Sequence, residues 1–224
     1  AKVYSGAVQG INPILVEVEV HSALSDEFTM VIVGLPDAGV REARDRVKAA
    51  LQSSSFQVPI GKVTINLAPA SIRKEGPMFD LPIAVAILRA TDQVGGVLYN
   101  GANLDDYLFA GELALNGTVR PVCGALSMAL CAKEAGKRGI FVPAENVNEA
   151  AIVGGLEVYP ISNLAQLVAF LRMSPTSENM DDLIAPVALD VDALFGRQEK
   201  TELDFSDVKG QESAKRALEI AAAG

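Results

Sequence analysis

Histidine and cysteine are scarce in these 224 residues: there is one histidine, His21, and there are two cysteines, Cys123 and Cys131. A catalytic triad that needs an imidazole has a single candidate. A zinc site of His and Cys would need nearly all three residues, and their spacing matches no metal pattern. Both cysteines lie in one apolar segment. They fit buried thiols of a reducing, cytoplasmic setting better than a disulfide framework, and are expected to be core fillers. No run of about 18 apolar residues occurs, so no membrane span is expected. The opening AKVYSGAVQG lacks the basic-then-apolar order of a signal peptide. The phosphate-loop pattern G-x-x-x-x-G-K-[ST] is missing too, so this chain alone is not expected to bind ATP productively.

Half of the residues are hydrophobic, enough for one substantial core and further segments. The net charge of −9 is uneven. Residues 1–172 carry 14 basic and 17 acidic side chains, whereas residues 173–224 carry 5 and 11. The larger part is close to neutral, and a local basic patch can work there.

Residues 14–21, ILVEVEVH, alternate from Val16 and read as a strand with one wet face. FTMVIVGL (28–35) is a continuous β-branched run that reads as a buried strand. Residues 35–54 have helical periodicity, with Asp37 as N-cap and an apolar stripe of Val40, Ala43, Val47, Ala50 and Leu51. KVTINLAP (62–69) is another strand, and Asp80 is placed to cap a helix through LPIAVAILRAT. Residues 105–122 read as a hairpin turning at Asn116-Gly117. A helix (124–136), a strand, a short helix, a strand and the amphipathic NLAQLVAFLRM follow. Acidic pairs such as Asp105–Asp106 and Asp181–Asp182 read as loop solvation. From Ser174 the texture becomes polar and sparse, as in a linker. A new helix starts after Asp204 and is expected to continue into further chain.

The stretch RKEGPMFDLPIA (73–84) raises the question of chemistry. A charged, glycine-containing turn running into an apolar segment often presents a nucleophile, but the position where Ser or Cys would stand holds Met78. Together, VGLPDAGVREARDRVKAAL, INLAPASIRKEGPMFDLPIA and FAGELALNGTVRPVCGAL resemble the N-terminal region of the ComM/YifB family, bacterial Mg-chelatase-like AAA+ ATPases. DFSDVKGQESAKRALEIAAAG resembles the segment that leads into that family's Walker A loop. The resemblance implies a mixed α/β fold like the Lon proteolytic domain, the ribosomal protein S5 domain 2-like fold, over residues 1–172. A linker over 173–203 and the start of a truncated AAA+ module over 204–224 would follow. It also answers the question: a Lon-like Ser–Lys dyad would fall on Met78 and Leu126. A thioether and an isobutyl group can neither attack a carbonyl nor move a proton.

Arg41, Arg44 and Lys48 recur at i, i+3 and i+7, on one side of the helix after Asp37. Such a row can neutralise phosphates without reading bases, or simply be a solvated face with Asp37 near Arg41. Arg73 and Lys74 add a possible second contact. The resemblance implies a non-catalytic domain of a hexameric DNA motor, driving branch migration in natural transformation. This domain would contact duplex or branched DNA through Arg41, Arg44, Lys48, Arg73 and Lys74, or help assemble the homo-oligomeric ring. ATP and Mg2+ would belong to the longer protein, with Val208 and Gly210 near the adenine. Alternatives are an ATP-dependent Lon-like protease with an unrecognised nucleophile, a pure oligomerisation module, and a metal-chelatase subunit.

Overall fold

A computed structural model describes residues 1–9, 12–23, 25, 28–173, 183–189 and 205–223. The chain divides into two units, Ala1–Leu189 and Asp190–Gly224.

The first unit is built on a seven-stranded sheet. Its strands are β1 (Lys2–Gln9), β2 (Asn12–Ala23), β3 (Thr29–Val33), β4 (Lys62–Ala68), β5 (Tyr107–Phe109), β8 (Gly139–Pro143) and β9 (Glu157–Ile161). Across the sheet they run β3-β4-β2-β1-β5-β8-β9. Strand β2 pairs antiparallel with β1 and β4, and the remaining neighbours are parallel. A separate hairpin joins β6 (Glu112–Leu113) to β7 (Val119–Arg120). Among the described residues of this unit there are five α-helices: α1 (Ala38–Ser53), α2 (Asp80–Ala90), α3 (Ala125–Glu134), α4 (Val147–Ala151) and α5 (Leu164–Leu171).

Burial on the sheet explains the sequence texture. One face packs on α1, α2 and α5, and takes Val16, Val18 and Val20 of β2 with Val63, Ile65 and Leu67 of β4. The opposite face is covered around β5, β8 and β9 and over β1 and the first half of β2, where α3 and α4 seat Leu108, Ile140, Val142 and Val158 and Tyr4 and Leu15 pack at the margin. The doubly covered strands therefore read as unbroken apolar runs, and β2 and β4 alternate. On their uncovered side, Asn66 Nδ2 donates to Glu19 Oε2 at 2.7 Å and His21 is exposed.

Several expectations are corrected. Strand β3 is not buried: it is the edge strand, and Val31 and Val33 are each 41% exposed. Strand β1 carries no strong signal, because its inward residues include the small Ser5 and Ala7. The hairpin is confined to β6–β7, with β5 a strand of the main sheet. Asp105 is not merely solvated: it accepts from Arg89 at 2.6 Å. Asp181 and Asp182 lie outside the described residues, as does much of the expected linker. Residues 183–189 belong to the first unit: Ile184 is 6% exposed, and Val187 N–H donates to Val158 O at 2.8 Å.

The helix after β3 follows the sequence closely. Asp37 Oδ1 accepts from Val40 N at 2.7 Å, a side-chain N-cap, and the five stripe residues are buried. The turn from β3 into α1 requires Gly34 at φ 100°, where a Cβ would collide with the Leu67 carbonyl oxygen.

The second unit contains helix α6 (Glu212–Ala223).

Candidate functional site

Residues 73–80 form the turn that the sequence singled out. Its backbone is bridged to the start of α1: Lys74 N–H donates to Leu35 O at 3.1 Å, and Asp37 N–H donates to Lys74 O at 3.0 Å. The second carboxylate oxygen of Asp37 accepts from Gly76 N at 3.3 Å. Gly76 has φ 82°, which lets the chain enter the short 3₁₀ turn Pro77–Phe79. The turn is thus held by backbone pairing and one shared carboxylate.

Met78 sits where that geometry would present a nucleophile. Its carbonyl accepts from Gly111 N at 3.0 Å, and its side chain is half-buried against both cores. A cleft of about 500 Å³ lies beside it, lined by Ala7, Val8, Asp37, Gly76, Met78 and Cys123, among others. Cys123 is exposed, so it is not a core filler, whereas Cys131 is buried and its thiol is pushed up to about 11 by burial. Leu126 lies in the first turn of α3, where its N–H donates to Glu149 Oε1 at 3.0 Å. Neither dyad position carries a group that can act as nucleophile or base. No lysine or histidine hydrogen-bonds to Cys123 among the described residues.

Asp80 does not cap α2 with its side chain. It is fully buried and bound to Arg46, with Nε–Oδ2 at 2.7 Å and Nη2–Oδ1 at 3.0 Å, and it accepts from Leu113 N at 3.1 Å. Burial raises its carboxyl pKa, against the pull of the guanidinium and the Leu113 N–H. Arg46 also donates to Gly39 O at 2.9 Å, so the pair ties α1 to α2 and to the β6 strand. Arg46 lies off the row of Arg41, Arg44 and Lys48. Its position three residues after Ala43 and four before Ala50, both in the buried stripe, was the available signal.

The five expected phosphate contacts are not equivalent. Lys74 is fully buried, with Nζ donating to the carbonyls of Pro69 and Ile72, and burial lowers its pKa. A residue that cannot reach solvent cannot touch DNA, and Lys74 leaves the set. Arg73 is exposed and pairs with Glu75 at 3.4 Å. Arg41, Arg44 and Lys48 do share one side of α1. Arg41 Nε donates to the carbonyls of Pro36 and Asp37, both at 3.3 Å, and not to the Asp37 carboxylate. Arg44 pairs with Asp45 at 3.2 Å. Lys48 Nζ lies 4.8 Å from the centre of the Phe28 ring. In the second unit, Val208 is exposed and Gly210 has φ 74°, just before α6. The phosphate-loop pattern G-x-x-x-x-G-K-[ST] does not occur in the 224 residues. No described helix is long and apolar enough to cross a membrane.

Residues 16–146 match the family described as subunit ChlI of Mg-chelatase. The chain is 38% identical to Competence protein ComM of Haemophilus influenzae over 224 residues, all of this chain and 42% of that protein. It is 41% identical to protein YifB of Salmonella typhimurium over 228 residues, all of this chain and 41% of that protein. The chain thus spans about two fifths of the length of these relatives. A weaker match, 26% identity over 141 residues, covers 60% of this chain and 16% of Lon protease 1 of Hydrogenovibrio crunogenus. The chain therefore belongs to the Mg-chelatase-like AAA+ family of ChlI, with ComM and YifB among its homologues, and carries a Lon-like fold.

Proposed function

We propose that this chain is the non-proteolytic N-terminal part of an AAA+ DNA motor, and that its first unit serves assembly and partner docking. The observation that carries this reading is the occupied dyad: the turn that would present a nucleophile is intact, but it holds Met78, and Leu126 stands at the lysine position. The scaffold is kept without the chemistry. The likeness to a competence protein supports branch migration on DNA as the work of the longer, hexameric, cytoplasmic protein. In the longer protein, Val208 and Gly210 would lie on the adenine side of ATP, and the phosphates and Mg2+ would be held by residues outside this chain.

The test uses the longer protein. It is expected to hydrolyse ATP faster with branched DNA, to move a three-way junction, and to leave casein intact. Removal of residues 1–172 is expected to abolish the hexamer in light scattering. Casein cleavage that requires ATP overturns the reading in favour of a protease. A hexamer and junction migration both unchanged after the removal overturn the assembly role.

A second reading has DNA contact at Arg41, Arg44, Lys48 and Arg73, favoured by their position on accessible surface. Duplex binding by the 224-residue chain, weakening with salt and lost in Arg41→Glu/Arg44→Glu/Lys48→Glu, would establish it.

A further inference from the structure

Strand β3 gives one side of its backbone to β4, and no described strand takes the other. Its residues alternate: Thr29, Val31 and Val33 are exposed, and Met30 is buried under α1. Open edges are templates for a further strand, and proteins usually guard them with lysine, proline or a covering loop. The TMVIV sequence of β3 carries neither lysine nor proline.

A trough follows this edge. Two adjoining cavities of about 360 and 370 Å³ lie between β3 and α1, and both are lined by Met30, Val31, Arg44 and Asp45. Together they reach from Phe28 to Ile32 along the strand and from Arg41 to Lys48 along the helix. These spans are about 13 Å and about 10 Å by strand and helix rise, room for one short extended segment.

Charge selects the occupant. The two carboxylates of the helix wall are engaged: Asp45 with Arg44 at 3.2 Å, and Glu42 with Arg46 at 3.5 Å. Arg41 and Lys48, at the two ends, have no carboxylate within ion-pair distance among the described residues. An added strand would send alternate side chains to opposite faces of the sheet. Those on the α1 side would meet Arg41 and Lys48, where acidic residues fit. Those on the other side would lie beside Val31 and Val33, where aliphatic residues fit. A second copy pairing through its own β3 would bring two rows of these cations together, and like charges facing one another disfavour it. A duplex could engage the cations, but it would leave the strand edge and both valines uncovered.

We infer that the trough between β3 and α1 takes an extended peptide segment of alternating acidic and aliphatic residues as an eighth strand. This deepens the docking role proposed above and rests on it.

The test uses the 224-residue chain and two labelled octapeptides, one alternating Glu and Val and one alternating Lys and Val, in fluorescence anisotropy. The Glu/Val peptide is expected to bind and to weaken with salt, and the Lys/Val peptide is expected not to bind. Arg41→Glu/Lys48→Glu is expected to weaken binding at least tenfold. Val31→Lys, at an exposed edge position, is expected to weaken it several-fold while circular dichroism and the melting temperature stay at wild-type values. On binding, amides of residues 29–33 should gain protection from hydrogen exchange. No binding of the Glu/Val peptide, equal binding of the Lys/Val peptide, or binding indifferent to Val31→Lys overturns the inference. So does a 20-base-pair duplex that binds at Arg41 and Lys48 and displaces the peptide without regard to Val31. Casein cleavage by the longer protein is read separately: it would overturn the non-proteolytic reading whatever the peptides do.

Discussion

At the β9 edge of the sheet, residues 183–189 run alongside the last strand, bury Ile184 and pair Val187 with Val158. At the β3 edge, no described strand lies alongside, and two valines are left 41% exposed. The β9 side is lined with stacked rings: Phe141 lies 4.7 Å from Phe109 and 4.8 Å from Tyr159, centre to centre. Below them, Glu157 accepts from Tyr107 at 2.8 Å, from Tyr159 at 3.1 Å and from Arg138 at 2.9 Å. The β3 side is held mainly by the aliphatic stripe of α1 and one ion pair. One edge of the sheet is closed by its own chain, and the other is left open among the described residues.

The β3 side is most vulnerable at the Arg46–Asp80 ion pair. Arg46→Met strands a buried carboxylate and is expected to cost about 3–5 kcal/mol in urea unfolding. Asp80→Leu is expected to cost less, because Arg46 is 20% exposed and can turn to water and Glu42. Equal losses for the two variants would show that the pair is not limited by the burial of Asp80. On the β9 side, Glu157→Gln weakens three hydrogen bonds from polar or charged donors and is expected to cost about 1–3 kcal/mol by the same measurement. Val187→Pro removes the single N–H donated to Val158 and is expected to cost about 1 kcal/mol, read as a lowered melting temperature.

Acid sharpens the contrast without a mutation. Burial works to raise Glu157, but its bonds to Arg138, Tyr107 and Tyr159 prevail and hold it below the usual value. Its contribution to stability is complete above about pH 4.3, the ordinary glutamate value, and is lost as pH falls through the depressed one. Asp80 is raised by burial, so its contribution is complete below about pH 3.9 and is lost as pH rises through the elevated value. Carboxyl carbon shifts in an NMR titration are expected to place the two midpoints on opposite sides of their ordinary values. Midpoints displaced in the same direction would remove the contrast.

Periodicity made α1 legible residue by residue, because a stripe buried on one side leaves a mark every three or four positions. The same rule failed at β3. A continuous apolar run is shared by a strand covered on both faces and by an edge strand awaiting cover, and only the neighbours decide between them. The turn at 73–80 was legible as a form with Met78 where a nucleophile would stand, since that residue can be read directly. The fate of the cations was not. Lys74 and Arg73 are adjacent in sequence, but one folds inward onto backbone carbonyls and the other stands in solvent with Glu75. Adjacent positions in an irregular turn carry no period from which to infer direction. Arg46 was missed because a charged residue on a helix is habitually assigned to water, and its partner Asp80 lies 34 residues away.

The enclosed ammonium of Lys74 makes that lysine a natural reporter. An amine-reactive reagent added to the native protein should modify exposed lysines such as Lys62 within its ordinary reaction time. It should reach Lys74 only when the 73–80 turn lifts from the start of α1. Mass spectrometry of that one peptide over time would then clock the opening of the turn.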